Sequence, residues 1–77
     1  MEKLTSGQRK VLAKLKEGVS IERLDVNGKR GKYRQGDAFV RPATVVALSS
    51  YTNSEKRVEA GGYVAVRIYT WNGKEEV

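Results

Sequence analysis

Residues 26–36 read VNGKRGKYRQG, and the fold of the first half of the chain depends on this stretch. Its Asn27-Gly28 pair is the strongest short signal for a β-hairpin, because both residues tolerate the positive φ of a type I′ turn. Four cations follow within six positions, and no acidic residue interrupts them: Lys29, Arg30, Lys32 and Arg34. The stretch therefore predicts a hairpin whose second arm is strongly basic.

The first arm of this hairpin is less clear from the sequence. Residues 20–26, SIERLDV, are compatible with a strand or with a short second helix, since their apolar residues fit neither period cleanly. Isoleucine and valine favour extended structure, and the turn follows directly, so the strand is the favoured interpretation. In a regular return strand, alternate residues share a face, which would place three cations together: Arg30, Lys32 and Arg34.

The N-terminal segment LTSGQRKVLAKLKEG predicts an amphipathic helix, because its apolar residues recur at helical spacing: Leu4, Val11, Leu12, Leu15 and Val19. Thr5 or Ser6 can cap the start of this helix by accepting a free backbone N–H. Gly18 can end it in a left-handed conformation. Lys10 and Lys14 project from the opposite face, where most lysines are only solvated.

The segment VRPATVVALSS predicts a second helix over residues 42–51, because proline is preorganised for the first helical position. Val45 and Leu48 would face inward, and Asn53 and Ser54 would end the helix.

The last third, KRVEAGGYVAVRIYTWNGKEEV, predicts a second hairpin that turns at Gly61 and Gly62. One face of its return strand is expected to pack on the helices: Val64, Val66, Ile68 and Thr70. The other face carries aromatic residues around an arginine, which suits base stacking or a protein interface: Tyr63, Arg67, Tyr69 and Trp71. Alternatively, Tyr69 and Trp71 cover a core that has few large residues of its own. This is the favoured interpretation for Trp71, whereas both interpretations stay open for Tyr63 and Arg67.

Length and composition narrow the class of protein. A chain of 77 residues has room for one domain, residues 1–77, and buries only about 60% of its unfolded surface. Its formal net charge of +6 favours a polyanion or an acidic protein surface as partner. No apolar run approaches the roughly 20 residues of a membrane span, and no signal peptide is evident. The expectation is a cytoplasmic protein that does not contact a membrane.

Enzymatic and metal-binding functions find no support in the sequence. Cysteine and histidine are both absent, so disulfides are excluded and a zinc site is not expected. Histidine is also the commonest general acid or base, and the carboxylates are scattered along the chain. We expect a protein that is not an enzyme and needs no cofactor.

The order helix, hairpin or short helix, helix, hairpin resembles a small winged-helix domain of the bacterial and phage DNA-binding type. The segments that carry the likeness are LTSGQRKVLAKLKEG, VRPATVVALSS and EAGGYVAVRIYT. The resemblance implies an α+β fold in which two short helices and two β-hairpins surround one small core. It also implies that the second helix lies in the major groove and that the C-terminal hairpin is a wing on the DNA backbone. The segment PATVVALSSY carries no Arg, Lys, Asn or Gln, the side chains that pair bidentately with purine edges.

Two functions follow as hypotheses. The first is a DNA-binding phage or plasmid regulator that contacts the phosphate backbone of duplex DNA through eight residues: Lys29, Arg30, Lys32, Arg34, Arg41, Thr44, Arg57 and Arg67. The alternative is a phage-encoded modulator or inhibitor of a host nucleoprotein machine, such as an anti-CRISPR or a polymerase-binding protein. Its interface, or that of a homodimer, would use aromatic residues: Tyr63, Tyr69 and Trp71.

Overall fold

Two α-helices and a five-stranded antiparallel sheet form the α+β fold of residues 3–75, the part of the chain that the computed structural model describes. The elements in chain order are α1 (Ser6–Lys16), β1 (Ile21–Val26), β2 (Tyr33–Gln35), β3 (Ala38–Val40), α2 (Pro42–Ala47), β4 (Thr52–Glu59) and β5 (Val64–Trp71). Short 3₁₀ turns cover Ser49–Tyr51 and Ala60–Gly62. The sheet order is β3-β2-β1-β5-β4. Two hairpins account for four of these strands, and β3 is the additional one.

The predicted N-terminal helix is confirmed, and its ends follow from local chemistry. The Thr5 hydroxyl accepts a hydrogen bond from the backbone N–H of Gln8, and the Gln8 side chain accepts one from the backbone N–H of Thr5. This reciprocal capping box satisfies two free donors at the helix start. Gly18 has a φ of 96° just beyond the helix, and the inward residues Leu12 and Leu15 are buried.

The segment after α1 is strand β1, the central strand of the sheet, and not a second helix. Asn27 and Gly28 follow it with φ values of 52° and 77°, as a type I′ turn requires. The N–H groups of Val26 and Lys29 each donate to the other residue's carbonyl oxygen, at 3.1 and 2.9 Å. The predicted turn is confirmed.

The return arm contains a β-bulge that the sequence pattern did not reveal. Val26 opposes Lys29 next to the turn, but Arg23 opposes Tyr33 further along. Three residues of the return arm, residues 30–32, therefore lie opposite two residues of β1. Such an extra residue interrupts the ladder and ends the simple alternation of faces.

Gly31 lies at the centre of this bulge. A Cβ atom at this position would overlap the carbonyl oxygen of Leu24, so the close approach of the two arms requires glycine. The regular strand β2 consequently begins at Tyr33, four residues later than the return strand expected from Lys29.

The helices cover the face of β5 that carries Tyr69 and Trp71, which confirms the alternative that these two rings cover the core. Tyr69 opposes the fully buried Ile21 across β1 and β5, and Tyr69 and Trp71 both pack against the core. The buried apolar side chains of this core are Leu12, Leu15, Ile21, Val40, Val45 and Leu48. The prediction that one set of β5 residues packs on the helices is therefore wrong. These residues are Val64, Val66, Ile68 and Thr70. They lie on the opposite face, which we call the open face.

Helix α2 is shorter than predicted. It begins at Pro42 but ends at Ala47, and the polypeptide passes through a 3₁₀ turn into β4. Val45 and Leu48 are buried as expected. Asn53 and Ser54 do not stop the helix but pair with β5, because an edge strand tolerates polar side chains that face solvent.

A buried amide joins α1 to the sheet. The Nε2 atom of Gln35 donates to the carbonyl oxygens of Val11 and Val19, at 2.9 and 3.2 Å. Both acceptors lie near the carboxyl half of α1 or just beyond it, so this side chain sets the position of the helix over β2. Within residues 3–75, neither helix has the length and apolar character needed to cross a membrane.

Candidate nucleic-acid interface

The cations of the first hairpin do not share a face. The Lys32 ammonium and the Arg34 guanidinium lie 5.5 and 5.7 Å from the centre of the Phe39 ring, on the open face. Arg30 instead lines a depression on the helix side of the sheet. The expectation that Arg30, Lys32 and Arg34 lie together is therefore wrong, because the bulge at residues 30–32 inserts one extra residue between them.

The other residues predicted to contact nucleic acid are also divided. Lys29 opposes Val26, and Arg57 opposes Val66, which places both cations on the open face. Arg41 and Thr44 lie at the start of α2. Of the eight predicted residues, two lie on the helix side of the sheet near the hairpin turns: Arg30 and Arg67.

These two arginines belong to a surface that crosses several strands. Arg23 opposes Arg67, and Arg67 opposes Lys56, so three cations form a row across β1, β5 and β4. Arg30 lines the adjoining depression of about 290 Å³ together with Tyr63. We call this surface the basic shelf, which consists of Arg23, Asp25, Arg30, Lys56, Tyr63 and Arg67.

One cation of the basic shelf is already neutralised. The Arg23 guanidinium donates from Nε and Nη2 to the two Asp25 carboxylate oxygens, each at 2.9 Å, and from Nη1 to the Tyr33 hydroxyl at 3.0 Å. Arg23 is only 7% exposed. The guanidinium therefore forms the floor of the shelf, and Asp25 already occupies its Nε–Nη2 edge.

This ion pair changes the ionisation of both partners. Hydrogen bonding from Arg23, followed by the backbone N–H of Gly31, lowers the pKa of the Asp25 carboxyl, although partial burial opposes the shift. The hydrogen bond to Asp25 raises the pKa of Arg23. Asp25 thereby joins the bulge to β1, since its Oδ1 accepts from Gly31 at 3.3 Å.

The remaining shelf cations form no ion pair within the described part of the chain: Arg30, Lys56 and Arg67. Arg30 nevertheless lies close enough to Asp25 to help Arg23 lower the pKa of that carboxyl. The register explains this separation of charge. The acidic residues of β1 and β4 other than Asp25 lie in line with Val64 or Ile68 on the open face: Glu22, Glu55 and Glu59. The shelf therefore has four cations and a single carboxylate, whereas the cations of the open face are mixed with several acids.

The three aromatic residues predicted for an interface are also separated. Tyr63 is 69% exposed and borders the basic shelf. Tyr69 packs against the core, and burial raises the pKa of its hydroxyl. The Trp71 ring also packs there, with its Nε1 donating to the carbonyl oxygen of Lys74 at 2.9 Å. Only Tyr63 of these three is placed to meet a partner.

Lys56 is the shelf residue that sequence reasoning missed, although the sequence contains a signal for it. Lys56 and Arg67 are equally distant from the Gly61-Gly62 turn, and the ladder pairs them directly. Counting outward from a two-residue turn predicts which side chains oppose one another across a hairpin. The same count, applied to the first hairpin, fails because of the bulge.

Comparison with protein-family models, with curated proteins and with solved structures finds no match for this chain. The functional proposal therefore rests on the charge, exposure and shape of the surfaces described above.

Proposed function

We propose that this chain is a small nucleic-acid-binding protein that holds a phosphate backbone against the basic shelf. The observation that carries the proposal is the convergence of Arg30, Lys56 and Arg67 on one exposed surface. Among the described residues of this surface, the only acidic one is Asp25, and its carboxylate is paired with Arg23. Clustered cations of this kind bind a polyanion with a gain in entropy, because phosphate contacts release condensed counterions.

The geometry of the row favours an anionic ligand. Side chains directly opposed across antiparallel strands start about 5 Å apart, and like charges in that position destabilise the sheet. Lys56 and Arg67 are such a pair. A phosphate oxygen between the two cations would replace this repulsion with two charge-assisted hydrogen bonds.

Tyr63 adds a second type of contact. Its ring is exposed beside Lys56, where it can stack on a base or donate its hydroxyl proton to a phosphate. Helix α2 offers no side chain that pairs bidentately with a base edge. We therefore infer that binding is directed to the backbone of duplex DNA and depends little on base sequence.

The winged-helix relationship is part of this proposal. In it, the β4–β5 hairpin is the wing and contributes Lys56 and Arg67 to the DNA backbone. The two helices are separated by β1, β2 and β3, so α2 would follow a hairpin and not a helical turn. The alternative function, a modulator of a host nucleoprotein machine, stays a prediction.

Fluorescence anisotropy with a short labelled DNA duplex tests the proposal. Three phosphate contacts give a slope of about −2.7 in a plot of log affinity against log salt concentration. The double variant Arg30→Ala/Lys56→Ala should reduce that slope to about −0.9 and weaken binding at every salt concentration. Both positions are exposed, so the variant should remain folded.

The matched control is Lys32→Ala/Arg57→Ala, which removes two cations from the open face. It has the same net charge as the shelf variant and should retain the slope of the unmodified protein. Absence of duplex binding by the unmodified protein at about 50 mM salt would exclude the proposed function. An equal loss in the control would exclude the basic shelf as the binding surface.

A further inference from the structure

The open face of the sheet is apolar at its centre and has no cover within residues 3–75. Both helices pack on the other side, against the core residues. Leu24 is 52% exposed and Phe39 69% exposed. The apolar residues of the face are Leu24, Val26, Phe39, Val64, Val66 and Ile68. Exposed apolar sheet faces of this kind usually mark a contact surface.

Charges border this apolar centre in a definite order. Strand β2 and the bulge lie on one side and contribute cations: Lys29, Lys32 and Arg34. Strand β4 forms the other edge and contributes two glutamates beside one arginine: Glu55, Glu59 and Arg57. The open face is thus positive on one side and predominantly negative on the other, and its middle is apolar except for Glu22 of β1, which lies directly across from Arg34.

We propose that a second copy of this chain packs on the open face, forming a face-to-face β-sandwich. The two-fold axis would run parallel to the strands, between β1 and β5. This axis places β1 of one copy over β5 of the other, so that the apolar centres meet. It also places β2 of one copy over β4 of the other, so that the basic side of each copy faces the acidic side of its partner.

The strand register makes this complementarity specific. Arg34 and Glu55 lie in one row across the sheet. Arg34 opposes Glu22, and Glu22 opposes Ile68 on β5. Ile68 in turn opposes Glu55 on β4. Rotation about an axis parallel to the strands places each row of one copy opposite the same row of the second copy. Arg34 of one copy therefore faces Glu55 of the second copy.

The row next to the turns behaves in the same way. Lys29 aligns with Val26 and Val64, and Val64 aligns with Glu59. Lys29 of one copy consequently faces Glu59 of the second copy. In the middle row, Arg57 of one copy lies over the bulge that carries Lys32 of the second copy. The Glu55 carboxylate of the same chain, 3.7 Å from the Arg57 Nε, offsets part of this repulsion.

The size of the face points to a weak, reversible dimer. The strands that oppose one another about this axis are β2, β1, β5 and β4, and at about 3.3 Å per residue and about 4.8 Å between strands they give each face a footprint of roughly 400 Å². Two such faces bury about 800 Å², which is the size of a weak contact. The described core is small, and domains of this size commonly gain stability from association. The basic shelf lies on the other face, so the dimer leaves the proposed nucleic-acid surface free.

Sedimentation equilibrium on the full chain, combined with charge exchange, tests the proposal. We expect the unmodified protein to dimerise. The variant Lys29→Glu would place two acids opposite each other, and Glu59→Lys would place two cations opposite each other. Each variant alone should show a dimer dissociation constant at least about tenfold higher, because opposed like charges strongly weaken an interface.

An equimolar mixture of these two variants should recover the association. Only in the mixed dimer does the glutamate introduced at position 29 of one copy meet the lysine introduced at position 59 of the other. Recovery also shows that both variants are folded. An unmodified protein that stays monomeric would overturn the proposal, and so would variants that each dimerise as tightly as the unmodified chain.

A second pair of variants tests the apolar centre. Leu24→Lys alters the open face, whereas Val58→Lys alters an equally exposed apolar residue on the helix side of the sheet. We expect Leu24→Lys to abolish dimerisation and Val58→Lys to leave it unchanged. The near-ultraviolet spectrum of Trp71, which packs on the core, reports whether each variant is folded. Folded Leu24→Lys protein that still dimerises would contradict the proposed interface.

Discussion

On the helix side of the sheet, the basic shelf combines one ion pair, Arg23 and Asp25, with three further cations that form no ion pair in the described part of the chain. The open face carries four cations, but three glutamates lie among them: Glu22, Glu55 and Glu59. The two faces therefore hold similar numbers of positive charges and differ in the placement of the acids. The number of cations thus does not locate a polyanion site, whereas the cross-strand pairing of cations with acids does.

The same two faces differ in packing. On the helix side, Ile21 and Leu48 are fully buried, while on the open face Leu24 remains 52% exposed. Each face thus combines one apolar region with one charged region. On the helix side the apolar region is the core of the protein itself, and on the open face it is the proposed contact with a second copy.

The largest expected effect tests this difference in packing. Leu48→Ala should lower the free energy of unfolding by about 2–5 kcal/mol, because it leaves a cavity in a core that cannot collapse fully. Leu24→Ala, measured at a concentration low enough for monomers, should lower it by about 1 kcal/mol or less, since much of this side chain is already in water. Urea denaturation of both variants supplies the comparison. Similar losses would show that the open face is covered within the monomer.

An intermediate effect tests how the bulge distributes the cations between the faces. Gly31→Ala should destabilise the protein by about 1–3 kcal/mol, because its Cβ would overlap the carbonyl oxygen of Leu24. It should also weaken duplex binding, since a shift of the bulge would move Arg30 away from the shelf. Thermal melts and anisotropy titrations measure the two effects.

Gly7→Ala is the matched control for the bulge. Gly7 lies in the first turn of α1, where an added Cβ meets nothing closer than 4.0 Å. This change should stabilise the protein by about 0.5–1 kcal/mol, because it removes backbone freedom from the unfolded chain. Equal melting temperatures for the two alanine variants would contradict the assigned bulge.

The smallest expected effect is the pH dependence of the ion pair in the shelf. Folding lowers the pKa of Asp25, so its stabilising contribution is present above the unfolded pKa of about 3.9 and is lost as pH falls through the lower folded value. The stability difference between the unmodified protein and Asp25→Asn should therefore be constant near neutral pH and should shrink below about pH 4. Thermal melts between neutral and acidic pH measure it, and a difference that does not change with pH would exclude the pairing with Arg23.

Several elements were predictable because each depends on residues close together in the chain. The Asn27-Gly28 turn, the Thr5 cap, the Gly18 terminus and the start of α2 at Pro42 all involve groups within about one helical turn of one another. Their chemistry is satisfied locally, whatever the rest of the chain does. The inward orientation of Val45 and Leu48 also followed from local periodicity.

Other features depended on contacts between distant segments. Both faces of β5 alternate regularly, one with aliphatic and one with aromatic residues, so periodicity could not tell which face the helices cover. Tyr69 and Trp71 lie on the covered face because they complete a core with few large side chains. Strand β3 has only three residues, too few for a periodic signal, and the polar start of β4 is typical of a helix end as much as of an edge strand.

The positive charge, the hairpin turns, the ends of α1 and the start of α2 all follow from composition or from interactions within a few residues. Which cations share a surface follows instead from contacts between distant segments. In a sheet, one additional residue opposite Leu24 moves every following side chain to the other face. Whether that residue is accommodated depends on the contact between Gly31 and the Leu24 carbonyl of the neighbouring strand. No local pattern in the sequence predicts this contact.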